Sequence, residues 1–301
     1  MTEVYLPHSA TLRSSVGIVR AAFVQTFIVW KAYKGALIFF IVLSIVFAML
    51  PIFLGRYIGG DNFAANFEAS GGGKHPEAFI LLGTNGWMLV LFALWDYAGY
   101  LREEQQQGTL ESLFLTPAHQ SLIIMGRGAF SALLATGTFL VGVTVGLLLL
   151  DPEVLFSLDI IPFSIAVGML ILGFVPVLGL SMAIGAMVVR FKEINNILNV
   201  LQFFFGSLMG VFFPITMLPL AGQVLSFLFP GTWLVQDIRY VVAGSPPMLT
   251  LLGLEKVLGN FPVLFDFLVL LVLAVAWAFA GWAVFSRTLG RLKKNEGIGQ
   301  Y

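Results

Sequence analysis

The 301 residues of this chain are 58% hydrophobic and only 11% charged, with no cysteine and a net charge of zero. Soluble domains carry roughly 25% charged residues, so this composition excludes an ordinary soluble domain. The zero net charge gives no indication of a nucleic-acid partner. The absence of cysteine excludes disulfides and thiolate metal sites.

Apolar runs of about 20 residues or more, without period-2 alternation, recur along the chain and predict membrane-spanning helices. Helices satisfy their own backbone hydrogen bonds, which hydrocarbon cannot do. We predict an all-α membrane protein with six transmembrane helices in a single transmembrane domain covering residues 1–301. The predicted spans are residues 35–54, 79–100, 122–150, 162–189, 194–213 and 263–285. Pro51 is expected to distort the first span, and Pro176 to kink the fourth.

Residues 12–33, before the first predicted span, carry apolar side chains on one helical face. These are Leu12, Val16, Val19, Phe23, Phe27 and Trp30. Their spacing of three and four residues predicts an amphipathic helix lying in the cytoplasmic interface. The alternatives are a helix that packs on the soluble side and the beginning of the first span.

Residues 215–262, between the fifth and sixth predicted spans, contain two apolar stretches separated by Pro230 and Gly231. Residues 220–229 and 231–242 are each too short to cross a bilayer. We therefore predict a re-entrant segment of short helices in the outer leaflet. The alternative is an ordinary extracellular loop.

Lys and Arg residues are distributed unequally between the two sides of this topology. The side that holds both termini carries most of them, and the other side has Arg56, Lys74, Arg239 and Lys256. Cytoplasmic segments carry the excess of basic residues. We therefore predict a multi-pass protein of the cell membrane, plasma or inner, with both termini in the cytoplasm.

No pattern typical of catalysis, cofactor binding or metal ligation occurs in the sequence. Neither His-Glu-x-x-His, nor Gly-x-Ser-x-Gly, nor the phosphate-binding Gly-x-x-x-x-Gly-Lys-Ser/Thr loop is present. The acids within predicted spans are Asp96 and Asp266, each near an interface. Asp96 is expected to pair with a basic residue at the cytoplasmic end. We predict that this chain has no catalytic site and is not itself an enzyme.

The loop of residues 101–117, after the second predicted span, begins as a polar segment and ends in a small amphipathic helix. Leu110, Leu113 and Phe114 fall at i, i+3 and i+4 and form one apolar face. Thr116 and Pro117 are typical of the beginning of a helix. Such a face fits a groove in a partner protein. The alternative is a solvated helix that folds back on the membrane.

This loop resembles the corresponding loop of type-2 ABC exporter permeases, in the drug- or lipid-exporter branch. The pattern is Arg-Glu-x-x-x-x-Gly-Thr-Leu-Glu-x-Leu-x-x-Thr-Pro, beginning at Arg102. The six-span layout, the N-terminal helix and the outer segment are also similar. In the outer segment the resemblance lies in Pro230, Trp233, Asp237 and Arg239.

The resemblance implies half of a transporter, in which two identical or homologous permease chains pair in the lipid membrane. Each would bind a separate ABC ATP-binding subunit, which holds ATP and magnesium, so this chain needs no cofactor. A secondary contact with the ATPase is implied at Arg190, Lys192 and Glu193. The main ATPase-coupling interface would be Arg102, Glu103, Glu104, Gly108, Thr109, Leu110, Glu111, Leu113, Phe114, Thr116 and Pro117.

The implied function is export of an amphipathic substrate, which is a drug, a lipid or a lipid-linked glycan. An ion-coupled secondary transporter or channel is the alternative. That class needs charged or broken helices at mid-membrane.

Overall fold

The computed structural model describes residues 12–108, 120–191, 194–251, 253 and 262–295. Every α-helix in these residues is numbered in chain order from α1 to α12. The helices are Leu12–Ala32, Lys34–Gly59, Phe63–Ala69, Pro76–Gln106, Gln120–Leu150, Pro152–Ser157, Ile160–Phe191, Ile194–Leu208, Leu220–Leu228, Pro230–Ala243, Met248–Leu251 and Pro262–Asn295. Gly60–Asn62 and Ile215–Met217 form single 3-10 turns.

Six of the described helices are long and apolar enough to cross a membrane, namely α1, α2, α4, α5, α7 and α12. The protein is therefore a helical, multi-pass membrane protein. Five of the six cover predicted spans and extend beyond them. Helices α2 and α7 continue past Pro51 and Pro176, respectively.

Helix α1, Leu12–Ala32, covers nearly all of the predicted interfacial helix. Phe23 and Phe27 pack edge-on against Phe130 of α5, as the predicted apolar face would require. However, Ile28 and Val29 are also exposed on the remaining surface. Arg20, Gln25 and Lys31 are exposed as well, but by length and mean hydropathy residues 15–32 of α1 qualify as a membrane span.

Helix α8 is shorter than the span predicted at residues 194–213. It ends at Leu208, and its 15 residues rise only about 22 Å, which is less than the hydrocarbon thickness. The chain turns at Gly210, whose φ of +58° lies in the left-handed region that favours glycine. Thus the helix ends five residues before residue 213, where the predicted span ends.

Helix α4 lies at the centre of the described helices. In its most apolar 18-residue stretch, 78% of the residues are buried. It runs antiparallel to α5, so that Leu81 lies beside Gly146 and Asn85 beside Gly142. Helices α2, α7, α8 and α10 contact its other faces. Residues along α4 therefore mark the depth at which each neighbouring helix lies.

Helices α7 and α12 form the most extensive pair, and they run parallel. Leu172 clusters with Leu270 near one end, and Ala186 clusters with Phe285 near the other. Between these levels the backbones touch, because a Cβ atom on Gly281 would lie 2.0 Å from the Gly179 carbonyl oxygen. Small residues allow this approach in membrane helices.

Helices α9 and α10 form a hairpin beside α4, in the segment where short helices were predicted. Near the beginning of α9, Thr216 donates a hydrogen bond of 2.7 Å to the Ser70 carbonyl, which precedes α4. At the turn, Phe229 stacks on Phe205 of α8. Helix α10 then returns, and Ser245 beyond its end hydrogen-bonds to the Gly72 carbonyl. The hairpin therefore reaches the level of the middle of α4 and comes back.

Replacing Gly281 with alanine should destabilise the protein, because the added methyl group has no room against Gly179. Overpacking of this kind costs about 1–3 kcal/mol. Gly290→Ala is the matched control on the same helix, where an added Cβ meets nothing within 4 Å. Thermal unfolding in mild detergent should show a lower midpoint for Gly281→Ala only. Equal midpoints for both variants would contradict the close α7–α12 contact.

Candidate functional site

The predicted ATPase-coupling loop lies between α4 and α5, and the structure describes its beginning, residues 101–108, and the helix that follows it from Gln120. Thr109, Leu110, Glu111, Leu113, Phe114, Thr116 and Pro117 lie outside the described residues, as do Lys192 and Glu193. Arg102, Glu103 and Glu104 belong to the last turns of α4, and Arg190 to the end of α7. The helix continues to Gln106, rather than ending near residue 100, because this polar stretch consists of good helix formers.

Gly108 follows the end of α4 with a φ of +72°. This left-handed conformation is typical of the residue after a helix, and glycine adopts it at no steric cost. Because α4 and α5 are antiparallel, Gln106 and Gln120 lie at the same end of the molecule. The loop therefore joins two adjacent helix ends.

Asp96 joins α4 to α5 a few turns from this loop. The Ser131 hydroxyl donates a short hydrogen bond to Asp96 Oδ2, and Arg127 Nη2 lies 3.6 Å from Oδ1. The Arg127 guanidinium also lies 4.0 Å from the centre of the Tyr100 ring. We refer to Asp96, Tyr100, Arg127 and Ser131 as the Asp96 cluster. The expected pairing of Asp96 with a basic residue is confirmed.

The helices approach closely around the Asp96 cluster. The hydroxyl oxygen of Tyr97 occupies the space beside Gly128, where a Cβ atom would lie only 1.2 Å from it. On another side of α5, a Cβ on Gly126 would lie 2.3 Å from the Val19 carbonyl oxygen of α1. Three helices therefore meet within a short stretch of α5.

Arg239 lies at the opposite end of α4 and is fully buried. Its Nε donates to the Phe79 carbonyl, and its Nη2 donates to the carbonyls of Gly210 and Val211, each at 3.0 Å. The guanidinium carbon lies 3.5 Å from the centre of the Phe79 ring. Gly83 gives it room, because a Cβ there would lie 2.1 Å from Nη2. We call Arg239 and these three carbonyls the Arg239 site.

Two of the three carbonyls in the Arg239 site, those of Gly210 and Val211, belong to backbone that has left helical structure, whereas Phe79 lies within α4. Gly210 and Val211 follow the end of α8. The Val211 carbonyl lies beside Gly83, which is inside α4. Buried carbonyls without partners are costly, and guanidinium offers five donors in a fixed geometry. One side chain thereby links α10, α4 and the segment after α8.

Asp237, on the same helix as Arg239, is buried toward α12. Its carboxyl group is 1% exposed and has no hydrogen-bond partner among the described residues. Asp266, in the first turns of α12, is equally buried. Burial favours the neutral form of a carboxyl group.

The other outer residues chosen from the sequence take structural positions in the hairpin. Helix α10 begins at Pro230, which the sequence had marked with Gly231 as the boundary between the two apolar stretches. Trp233 donates an indole hydrogen bond of 2.7 Å to the Phe227 carbonyl, which braces the turn. No periodic pattern distinguishes Arg239 or Asp237 from an exposed loop residue, so their burial was not predicted.

A small apolar cavity of about 40 Å³ lies between α4, α5, α7 and α10. Drug-sized ligands occupy about 300–1,000 Å³, so this cavity does not hold one. No group of three or more potential metal ligands occurs among the described residues.

No family model and no curated protein matches this chain. Functional interpretation therefore depends on the loop sequence and on the geometry given above.

Replacing Arg239 with methionine should destabilise the protein, because three buried carbonyls lose their donor. Each unsatisfied group costs about 1–3 kcal/mol. Arg56→Met is the control, since Arg56 forms an exposed ion pair with Glu77, and such pairs contribute about 0–1 kcal/mol. Thermal unfolding in detergent should separate the two variants clearly. Similar midpoints would show that the Arg239 site is not needed for stability.

Proposed function

We propose that this chain is the permease subunit of an ATP-driven ABC exporter. The loop between α4 and α5, with its Arg-Glu-x-x-x-x-Gly-Thr-Leu-Glu pattern, is the observation that carries the proposal. A separate subunit binds ATP and magnesium and hydrolyses the ATP. The exported substrate is amphipathic, namely a drug, a lipid or a lipid-linked glycan.

The geometry of the loop ends supports this role. Two long adjacent helices, α4 and α5, converge on the loop. The Asp96 cluster joins these helices a few turns from the loop. A movement imposed on the loop by a partner is therefore delivered to the central helix α4 and to its neighbour α5. Gly108, with its left-handed φ of +72°, follows the end of α4.

The hairpin of α9 and α10 lies at the opposite end of the molecule from the loop, and it supports the proposed membrane topology. If the loop faces the cytoplasm with both termini, then α9 and α10 enter the membrane from outside and return. Helix α8 begins just after the cytoplasmic end of α7 and is too short to span alone, so the hairpin fills the outer part of the same region. Two permease chains, identical or homologous, form the complete pathway.

An ion-coupled secondary transporter is the second candidate. The buried carboxyl groups of Asp237 and Asp266 favour it, because ionisable groups within membrane helices are typical of ion pathways. The two candidates differ in whether an ATPase accompanies the chain.

Purification of the tagged chain in mild detergent should yield a stoichiometric ATP-binding subunit and ATPase activity. Leu113→Ala with Phe114→Ala should abolish this co-purification, because the two residues form the apolar face that enters the partner. Tyr57→Ala with Ile58→Ala is the matched control. Those apolar side chains are 88% and 81% exposed at the opposite end of the molecule.

Equal loss of the ATPase in both double variants would contradict the assignment of the loop. A folded chain that purifies alone and without ATPase activity would favour the ion-coupled transporter.

A further inference from the structure

Every side chain of the Asp96 cluster takes part in a contact between α4 and α5. The two carboxylate oxygens of Asp96 contact different residues of α5, which are Ser131 and Arg127. Arg127 in turn lies between Asp96 and the Tyr100 ring, which is one helical turn further along α4. The side chains of Asp96 and Arg127 are 13% and 24% exposed, and Ser131 is fully buried. Their interactions are therefore only weakly screened by solvent.

These contacts fix how far α4 can slide along α5. A shift by one turn moves a helix by about 5.4 Å, which would separate Asp96 from Ser131 and Arg127 together. Apolar side chains alone restrict sliding less, because they can repack against several neighbours. Buried polar groups add little net stability compared with apolar ones, and their best-attested role is to specify register.

The cluster lies between the loop and the rest of both helices. Asp96 precedes the end of α4 at Gln106, and Arg127 follows the beginning of α5 at Gln120. A force applied to the loop must therefore pass this point on either helix. Helix α1 is attached at the same level, through Phe130.

We propose that Asp96 is a positioning residue that fixes the register of α4 against α5, so that both helices follow the loop as one body. This inference rests on the proposed function, because in the exporter the joined helices α4 and α5 transmit the movement of the partner. The register itself exists with or without a partner.

The natural absence of cysteine allows the register to be measured directly. Gln106→Cys and Leu133→Cys place nitroxide labels on exposed positions of α4 and α5 that are separated along the helix axes. Double electron–electron resonance on the full chain in lipid nanodiscs should give a single narrow distance. With Asp96→Asn or Ser131→Ala, a second distance displaced by about 5 Å should appear.

Thr138→Ala is the matched control for Ser131→Ala. It removes a hydroxyl group from the same helix, but that hydroxyl bonds only to the Ala135 carbonyl of its own helix. The control should keep the single distance. A single unchanged distance in Asp96→Asn and in Ser131→Ala would overturn the proposal.

The same distance measurement on the complex with its ATPase tests the helix register and the proposed function separately. Addition of ATP, magnesium and vanadate should leave the distance unchanged in Thr138→Ala and shift it in Ser131→Ala. A shift in Thr138→Ala as well would show that α4 and α5 move separately, which overturns the proposal. If no ATPase accompanies the chain, the proposed function fails, whereas the measurement on the chain alone still decides the register.

Discussion

The three hydrogen bonds from Arg239 to backbone carbonyls make the rest of this architecture possible. An apolar interior tolerates non-helical backbone only where protein groups satisfy it. Helix α8 ends early, and the carbonyls of Gly210 and Val211 would lack partners beside α4. Because Arg239 supplies the donors, α8 can stop, the chain can turn, and α10 can pack inside the protein. A buried guanidinium is costly, and Nη1 has no hydrogen-bond partner among the described residues, but Nε and Nη2 donate to carbonyl oxygens and the group lies against the face of the Phe79 ring.

Helix α4 is held by polar groups near both of its ends, with apolar packing between them. The Arg239 site fixes the end beside the hairpin, and the Asp96 cluster fixes the end beside the loop. Between these sites, glycines of α5 allow α4 to pack closely, as at Gly142 and Gly146. The arrangement gives a stiff central helix whose two ends serve different tasks. In the proposed exporter, one end receives the movement of the ATPase, and the other supports the hairpin that faces outward.

Sequence reasoning was most successful where the signal is local. The lengths of the apolar runs predicted α2, α4, α5, α7 and α12, because helix formation in a membrane depends on the residues of the segment itself. The pairing of Asp96 was expected because an acidic residue within a membrane helix usually pairs with a neighbouring basic residue. Arg239 could not be placed in this way, since one of its carbonyl partners lies 160 residues away. The early end of α8 was missed for a related reason, because the turn at Gly210 depends on donors from another helix. The loop's role stays a prediction, since its central residues lie outside the described part of the chain.

The hairpin is the part of the account that a single measurement tests most directly. Leu220, Val224 and Leu228 lie four residues apart on an exposed face of α9. Nitroxide labels on single cysteines at these positions report collisions with oxygen, which is enriched in lipid, and with a water-soluble nickel chelate. If α9 descends into the bilayer, oxygen accessibility will rise and nickel accessibility will fall from Leu220 to Leu228. High nickel accessibility at all three positions would show that α9 lies in water, and would contradict the membrane-embedded hairpin and the topology built on it.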